Sequence, residues 1–361
     1  MNTSTQPNLL LEALAYLGRI ANGNTCQHME HRIRQRKIKP SSAFTHTFTL
    51  LKELSTDLEK ALPTEDGSLM DLFVNLEGFP HNTIGSASAA FLLLYPFLDS
   101  YEGNTEDLLS RFNELTVDRA AYHIACTLNL IQPTMDFDHF TEHDLIDLLL
   151  PLSVPDKSKL TILHLCHNYQ IFIQRISKLL FPVIHLLESL EEQISSLSEN
   201  FISLVTQTGG RHYLEDTSHL NFSEASSYRI RPFLFGMDTI LTFDSNSETT
   251  DVYCGILRRE LLSMLNEMGN SYDDVFDAFH LLGDRTRFDI LCYLCSHDAY
   301  GQELSEHFSL SRNTIHHHMS KLTNSGLVLS RIDGNRNYYT LDKAAFSALI
   351  RHQEELFGVS V

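Results

Sequence analysis

Long apolar runs, cysteines and positive charge are all scarce in this sequence, and each scarcity removes a class of protein. The longest apolar run, Ala87 to Leu98, is interrupted by Pro96 and falls short of the roughly 20 residues a helix needs to cross a bilayer. Six cysteines, Cys26, Cys126, Cys166, Cys254, Cys292 and Cys295, are scattered over 361 residues, a pattern of reduced thiols rather than of a disulfide framework. No basic residue precedes Leu9–Leu17, so no secretory signal is expected, and the expected location is cytoplasmic with no membrane partner. Lys and Arg number 27 against 46 Asp and Glu, a formal charge of −19 at pH 7. Spread evenly, that charge would exclude a nucleic-acid surface, because phosphates need local positive potential.

The charge is not spread evenly. Between Ser311 and Thr340 the bases Arg312, Lys321, Arg331 and Arg336 face the single acid Asp333, a local charge of +3, with His316, His317 and His318 in addition. The local pattern is as telling as the charge. Leu304 and Phe308 stand four apart in Gly301 to Phe308 and predict a two-turn helix. Ser311 then offers an N-cap for a second helix, in which Ile315, Met319 and Leu322 face inward. The outer face keeps Arg312, Asn313, Thr314, His316, His317, Ser320 and Lys321, a set of donors without an acid. Asn324-Ser325-Gly326 ends that helix, Leu327 to Ile332 alternates as a strand, Asp333-Gly334 marks a hairpin tip, and Asn337 to Leu341 returns. Helix, turn, helix and a two-stranded wing is the layout that sets the second helix in a major groove and the hairpin against the flanking backbone.

These residues resemble the ArsR-type winged-helix transcriptional regulators over about Asp274 to Phe357. The similar pieces are L-G-D-R-T-R-F-D-I-L from Leu282 to Leu291, E-L-S near Glu303, the S-R-N-T-I-H-H-H-M segment from Ser311, and G-L-V followed by the G-N-R-N-Y-Y-T-L wing. Arg285 stands where the family often has proline, harmless at a first helical turn. The resemblance implies a sequence-specific, double-stranded DNA-binding repressor that acts as a homodimer on a palindromic operator. In the family, the last helix, here Asp342 to Phe357, lies beside the first helix of the domain at the dimer interface. Metal-sensing members carry thiolates on the first helix of the motif or Asp and His pairs on the last. Leu304-Ser305-Glu306-His307 has no cysteine, and Asp342-Lys343-Ala344 lacks the His two residues after the Asp, so neither a metal nor another cofactor is expected.

Upstream, Leu9 to Ala21, Phe44 to Leu58, Thr83 to Leu98, Thr105 to Leu115 and Val117 to Ile131 read as helices. His31 to Pro40 carries five bases between Arg32 and Lys39 and is either a phosphate-contacting arm or a solvated helix end. His139-Phe140-Thr141-Glu142-His143 matches the H-x-x-E-H of some zinc peptidases. Thr141 and Asp144 nearly form a capping box, so the helix is expected to start at Thr141, leaving His139 outside and no catalytic residue assigned. His164, Cys166 and His167 have no second cluster to complete a metal site. Ile176, Leu180, Val183, Leu187, Leu190, Ile194, Leu197, Phe201 and Leu204 repeat at four and three, either a core helix or an intermolecular coiled coil. Tyr228 to Phe235, Thr239 to Phe243 and Asp251 to Gly255 read as strands. In the C-terminal domain Val275, Phe276, Phe279, Leu281 and Leu282 are expected as the apolar side of a first helix, Asp284 as the cap of the second, and Phe288, Leu291, Leu294 and Cys295 in its core; Cys292 and Cys295, three apart on a helix, are expected as small core residues.

The resulting fold class is mainly α: a helical N-terminal domain, residues 1–269, with a small antiparallel β meander at about 228–256, followed by a C-terminal winged helix-turn-helix domain, residues 270–361. The N-terminal domain is expected to dimerise or to sense an unknown small-molecule effector. Base-reading residues are expected at Arg312, Asn313, Thr314, His316 and His317. Contacts to phosphate and sugar are expected at Ser311, Ser320, Lys321, Arg331, Asn335, Arg336 and Tyr338. The competing reading is a protein-interaction module whose winged helix docks a polypeptide.

Overall fold

The computed structural model describes residues 2–35, 39–60, 62, 70–79, 84–98, 101, 103–131, 139–152, 154–218, 220–222, 227–244, 249–267, 276, 279–333, 336–343, 346, 349–350, 353 and 357–358. The chain divides into two compact units. The first joins residues 1–207 with 228–258, and the second joins 208–227 with 259–361. In sequence the second unit is interrupted, since residues 228–258 of the first unit lie between its two segments.

The first unit opens with β1 (Asn2–Thr3) and α1 (Leu9–Ala21), whose start is fixed by Asn8 accepting from the Leu11 amide at 3.0 Å. Residues 10–19 of α1 are all buried. Gly18 lets the helix approach the Ile84 carbonyl so closely that a Cβ there would lie 2.0 Å from its oxygen. The helices α2 (Cys26–Gln35), α3 (Ser42–Glu59), α4 (Ala89–Leu98), α5 (Thr105–Asn113), α6 (Val117–Thr127), α7 (Glu142–Leu149) and α8 (Asp156–His167) follow. Phe44, Phe48, Leu51, Leu54 and Leu58 form the buried stripe of α3, as their spacing requires.

The heptad stripe runs through two helices, α9 (Tyr169–Ser189) and α10 (Glu191–Thr208), which meet at Leu190. Ile176, Leu180, Val183, Leu187, Ile194, Leu197 and Phe201 are all buried within the chain, so this stripe is a core face. α9 is also long and apolar enough to cross a membrane by composition, but its apolar side is the one that packs inward.

After α11 (Gly210–Ser218) and β2 (Leu220–Phe222), the three expected strands form as β3 (Ser227–Phe233), β4 (Ile240–Asp244) and β5 (Thr249–Gly255). The sheet order is β1-β3-β5-β4: β4 and β5 pair antiparallel, and β1 adds parallel to β3 through Asn2↔Arg229 and Thr3↔Ile230. The sequence does not signal β1 or β2, since two or three residues are too few to show a period of two. Glu12 of α1 is buried and accepts from the Leu234 and Phe235 amides at 2.9 and 2.8 Å, tying the first helix to the end of β3.

The second unit contains α11, β2, α12 (Arg258–Glu267) from Arg259 onward, α13 (Arg285–Leu294), β6 (Ala299–Tyr300), α14 (Gly301–Phe308), α15 (Arg312–Asn324), β7 (Val328–Asp333) and β8 (Arg336–Leu341). Arg259 holds α12 to α11, donating to Thr208 at 3.2 Å, lying 3.8 Å from Asp216 and covering the Tyr213 ring at 5.9 Å. Its core joins Ile290, Leu291, Leu294, Leu304, Ile315, Met319, Leu322, Val328 and Tyr339. β7 and β8 form the expected hairpin, from Val328↔Leu341 to Asp333↔Arg336. Two further strands widen it to the order β2-β7-β8-β6, with β2 parallel to β7 at Leu220↔Ser330, Asn221↔Arg331 and Phe222↔Ile332.

Three expected core residues of this unit turn outward. Phe288 is exposed and so are Cys292 and Cys295, although all three were expected inside. They sit at i, i+4 and i+7 on α13 and its C-cap, so they share one face, which is exposed among the described residues. Phe276 and Phe279 are likewise exposed rather than on an inner side, and Val275 lies outside the described residues.

Candidate nucleic-acid interface

The second unit presents α14 and α15 as a helix-turn-helix. α14 starts where the Tyr300 amide donates to Glu303 at 3.0 Å, and ends at Ser309, which takes the left-handed conformation (φ 53°). The turn is then closed twice: the Leu310 amide donates to the Ser305 carbonyl at 3.1 Å, and the Ser305 hydroxyl donates to the Leu310 carbonyl at 2.5 Å. These bonds fix where α15 begins. Ser311 caps it, accepting from the Thr314 amide at 3.1 Å, with the two side-chain hydroxyls 2.8 Å apart.

From that start the helical period does the sorting. Ile315, Met319 and Leu322 are buried at 1% exposure or less, and of the residues between them only His318 joins them inside, the others being half-buried or exposed. Arg312 and Lys321 are exposed, Ser311 is exposed, and Asn313, Thr314, His316, His317 and Ser320 are half-buried. On the hairpin, Tyr338 is half-buried with its ring 5.6 Å from that of Tyr300, which seats the return strand on the start of α14. Arg331 and Arg336 occupy β7 and β8, paired in register with Tyr338 and Asp333, while Asn335 lies outside the described residues.

The histidines change the electrostatic expectation. His318 is buried, with its Nδ1 3.8 Å from the Asp284 carboxylate and no hydrogen-bond partner. Burial, helped by the Lys321, His318, Arg287 and His316 charges, pushes His317 down to about 4. Burial likewise lowers His316 and His318, in the latter case against the attraction of Asp284. All three are neutral at pH 7. Among the described side chains the exposed cations of this face are Arg312 and Lys321, and the histidines contribute hydrogen-bonding atoms instead of charge.

Behind α15 lies a support built on Asp284 and Arg287. Asp284 caps α13 by accepting from the Arg287 amide at 2.9 Å. The buried Arg287 side chain returns to donate to the Leu281 carbonyl at 2.6 Å and the His280 carbonyl at 3.2 Å, with Nη1 3.5 Å from Asp284. Burial would raise the Asp284 carboxyl, but the Arg287 amide, the guanidinium and His318 together hold it below the usual carboxylate range. One carboxylate thus joins the helix before the motif to the helix that presents the donors. An arginine at an inner-stripe position is the signal that could have found this network: Arg287 stands four and seven residues before the buried Leu291 and Leu294.

The alternative chemistries find little support. The helix after His139 begins at Glu142 with Thr141 and Asp144 in a reciprocal capping box, so His139 and His143 do not share a helix. Cys166 is buried, His164 packs edge-on to Phe172 at 5.3 Å, and His167 pairs with Glu142 at 3.3 Å. Among the described residues no three His, Cys, Asp or Glu side chains gather as a metal site. In the basic stretch, Arg34 pairs with Glu30 at 2.6 Å, and residues 36–38 lie outside the described residues.

Comparison with known proteins agrees with this geometry. Residues 284–330 match the family described as "Bacterial regulatory protein, arsR family". The chain is 34% identical over 82 residues to the arsenical resistance operon repressor of Staphylococcus aureus, covering 23% of this chain and 79% of that protein. It is 35% identical over 72 residues to the repressor of the same description from Staphylococcus xylosus, covering 20% of this chain and 69% of that one. No solved structure matches the chain. The matched residues open at the cap Asp284, run through both helices of the motif and close inside β7. The chain belongs to the arsR family of bacterial regulatory proteins, with the family's winged helix-turn-helix in its second unit.

Proposed function

We propose that this protein is a cytoplasmic, homodimeric, sequence-specific transcriptional repressor that binds a palindromic operator, with an N-terminal domain that senses an effector. The observation that carries the reading is the sorting of α15: three core residues at 1% exposure or less face one way, and an acid-free set of donors from Arg312 to Lys321 faces the other. Arg312, Asn313, Thr314, His316 and His317, in the first turns of the helix, read base edges. Ser311, Ser320, Lys321, Arg331, Asn335, Arg336 and Tyr338 hold phosphate and sugar.

Homodimerisation is supported by a second observation in the same unit. Phe276, Phe279, Phe288 and Phe357 are exposed at 59%, 46%, 47% and 62%, and the rings of Phe279 and Phe357 lie 6.2 Å apart edge to face. Exposed aromatics gathered from the two ends of a domain are the mark of a surface covered by a partner. Paired recognition helices then read two half-sites about one helical turn apart.

The test separates reading from positioning. Arg336→Ala should weaken binding to cognate and random duplexes alike and flatten the salt slope by about one unit. Asn313→Ala should lose roughly 1–3 kcal/mol at one base position and little on random DNA. If both variants bind cognate and random duplexes as wild type does, the face does not contact DNA, and the polypeptide-docking reading takes its place.

A further inference from the structure

His318 lies on α15 where the core stripe meets the donor face. Thr314 stands four residues before it and Lys321 three after, so the three side chains share one flank of the helix. The ring is buried, yet only one of its nitrogens is enclosed: Nδ1 has no hydrogen-bond partner and lies 3.8 Å from Oδ1 of Asp284, whereas Nε2 is open to solvent. A lone pair on Nδ1 would face a carboxylate. The neutral ring therefore carries its proton on Nδ1 and leaves Nε2 bare.

The charges around the ring make its protonation depend on what docks beside it. Asp284 and Arg287 act on it from α13, and Lys321 and His317 from α15. Among the described residues, no charged group of α14 or β7 lies within ion-pair distance of it. One carboxylate against a guanidinium and an ammonium leaves a single positive excess in the free chain. A proton on His318 would double that excess, and burial adds to the cost, so the ring is held neutral. A phosphodiester beside Lys321 reverses the balance. It cancels the excess and offers an oxygen to Nε2, which can donate to it only once protonated, while Nδ1–H keeps Asp284 as its counter-charge.

We propose that His318 is a phosphate-binding residue of α15 that takes up one proton from the buffer when duplex DNA docks, with Nε2–H on a phosphodiester oxygen beside Lys321 and Nδ1–H on Asp284. Asp284 is then a positioning residue for DNA binding as well as a helix cap. The proposal deepens the regulator reading above and rests on it. Its consequence has a definite sign: affinity for DNA rises as pH falls from about 7.5 towards 6, because the bound phosphate raises the pH at which the ring titrates. The buried histidines weaken the fold of the second unit as pH falls, so loosening of the fold would give the opposite sign.

The experiment is calorimetric titration of the full-length protein with a random-sequence duplex of about 30 base pairs, at low salt, since phosphate contacts do not require the operator. It is run near pH 6.5 in MES and in imidazole, whose heats of ionisation differ, so that the difference in binding heat counts protons. The expected result is uptake of roughly half to one proton per bound chain, with affinity rising roughly fivefold between about pH 7.5 and 6. His318→Gln and Asp284→Asn should each remove at least half of that uptake, while His317→Gln keeps it. Asn at 284 retains the capping oxygen and removes only the charge, so it carries the test should the substitution at 318 impair folding, which circular dichroism at each pH reports. A purely structural His318 would lower affinity by one factor at every pH and leave the proton count as in wild type. That result overturns the proposal, and so does an uptake abolished by His317→Gln instead. Duplex bound without proton uptake removes the role of His318 alone, whereas no binding at any pH removes the regulator reading itself.

Discussion

A single carboxylate, Asp284, does three jobs at once: it caps α13, faces the Arg287 guanidinium, and stands 3.8 Å from His318 of α15. Asp284→Ala removes the cap and leaves a buried arginine with only carbonyl partners, so a loss of about 1–2 kcal/mol in the second unit is expected from chemical denaturation. The neighbouring histidines add a pH dependence of known sign. His317 titrates near 4 in the folded chain and near 6.5 when unfolded. As pH falls from about 6.5 towards 4, the unfolded state takes up a proton that the folded state refuses, and stability is lost across that window. His316 and His318 act in the same direction. Asp284, whose folded value is depressed, contributes stability above its unfolded value that is lost as pH falls through the folded one.

Glu12 in the first unit has the opposite slope. Burial, outweighing two amide donors, pushes it up to about 8, so its folded form keeps a proton the unfolded form has released. Its contribution is largest below about 4.5 and is lost as pH rises towards 8. Hydrogen exchange followed at pH 5 and pH 7.5 should therefore show α15 better protected at the higher pH and α1 better protected at the lower, after correction for intrinsic rates. A common slope for both helices would contradict this assignment.

At the scale of the element, the turn between α14 and α15 is the point of strain. Ser309 adopts φ 53° without the freedom of glycine, a conformation that costs an L-residue about 1–2 kcal/mol. Glycine would remove that cost but add about 0.4–1 kcal/mol of unfolded-state entropy. Ser309→Gly should accordingly raise stability by about 0.5–1 kcal/mol, visible as a higher denaturant midpoint.

The same scale shows what could be read in advance. α1 and α15 begin where Asn8 and Ser311 stand, because a cap is written in one residue and the inner stripe in the next few. The break at Leu190 carries no glycine or proline and leaves the heptad rhythm intact, so α9 and α10 read as one helix. The wing hairpin was legible from Asp333-Gly334 and its flanking alternation. Its third and fourth strands were not, because pairing between Leu220 and Ser330 is a long-range choice that no local pattern announces. The donors of α15 were legible as a face, but their charge was not: neutral histidines at 316–318 follow from burial, which depends on the assembled unit. Cys292 and Cys295 were misplaced for a related reason, since an exposed helix face that carries small apolar residues looks in the sequence like one meant for the core.

For the whole molecule, the proposed homodimer is tested at the exposed aromatics of the second unit. Phe279→Asp and Phe357→Asp each place a charge on the patch, and sedimentation should show a monomer in place of a dimer, with operator affinity falling because two half-sites are no longer engaged together. The pairing of β2 with β7 is open to a separate check. Asn221→Pro, at the centre of that short strand, should speed amide exchange in residues 330–332 of the wing and leave β4–β5 exchange unchanged.

That pairing also sets an order of events on the ribosome. Leu220 is synthesised 110 residues before its partner Ser330, a delay of roughly 5–20 s at cellular elongation rates. During that interval the nascent chain carries an unmatched strand edge, a hazard for sticking to other chains. Slowing translation should therefore lower the yield of native protein, and a holding chaperone supplied during synthesis should restore it.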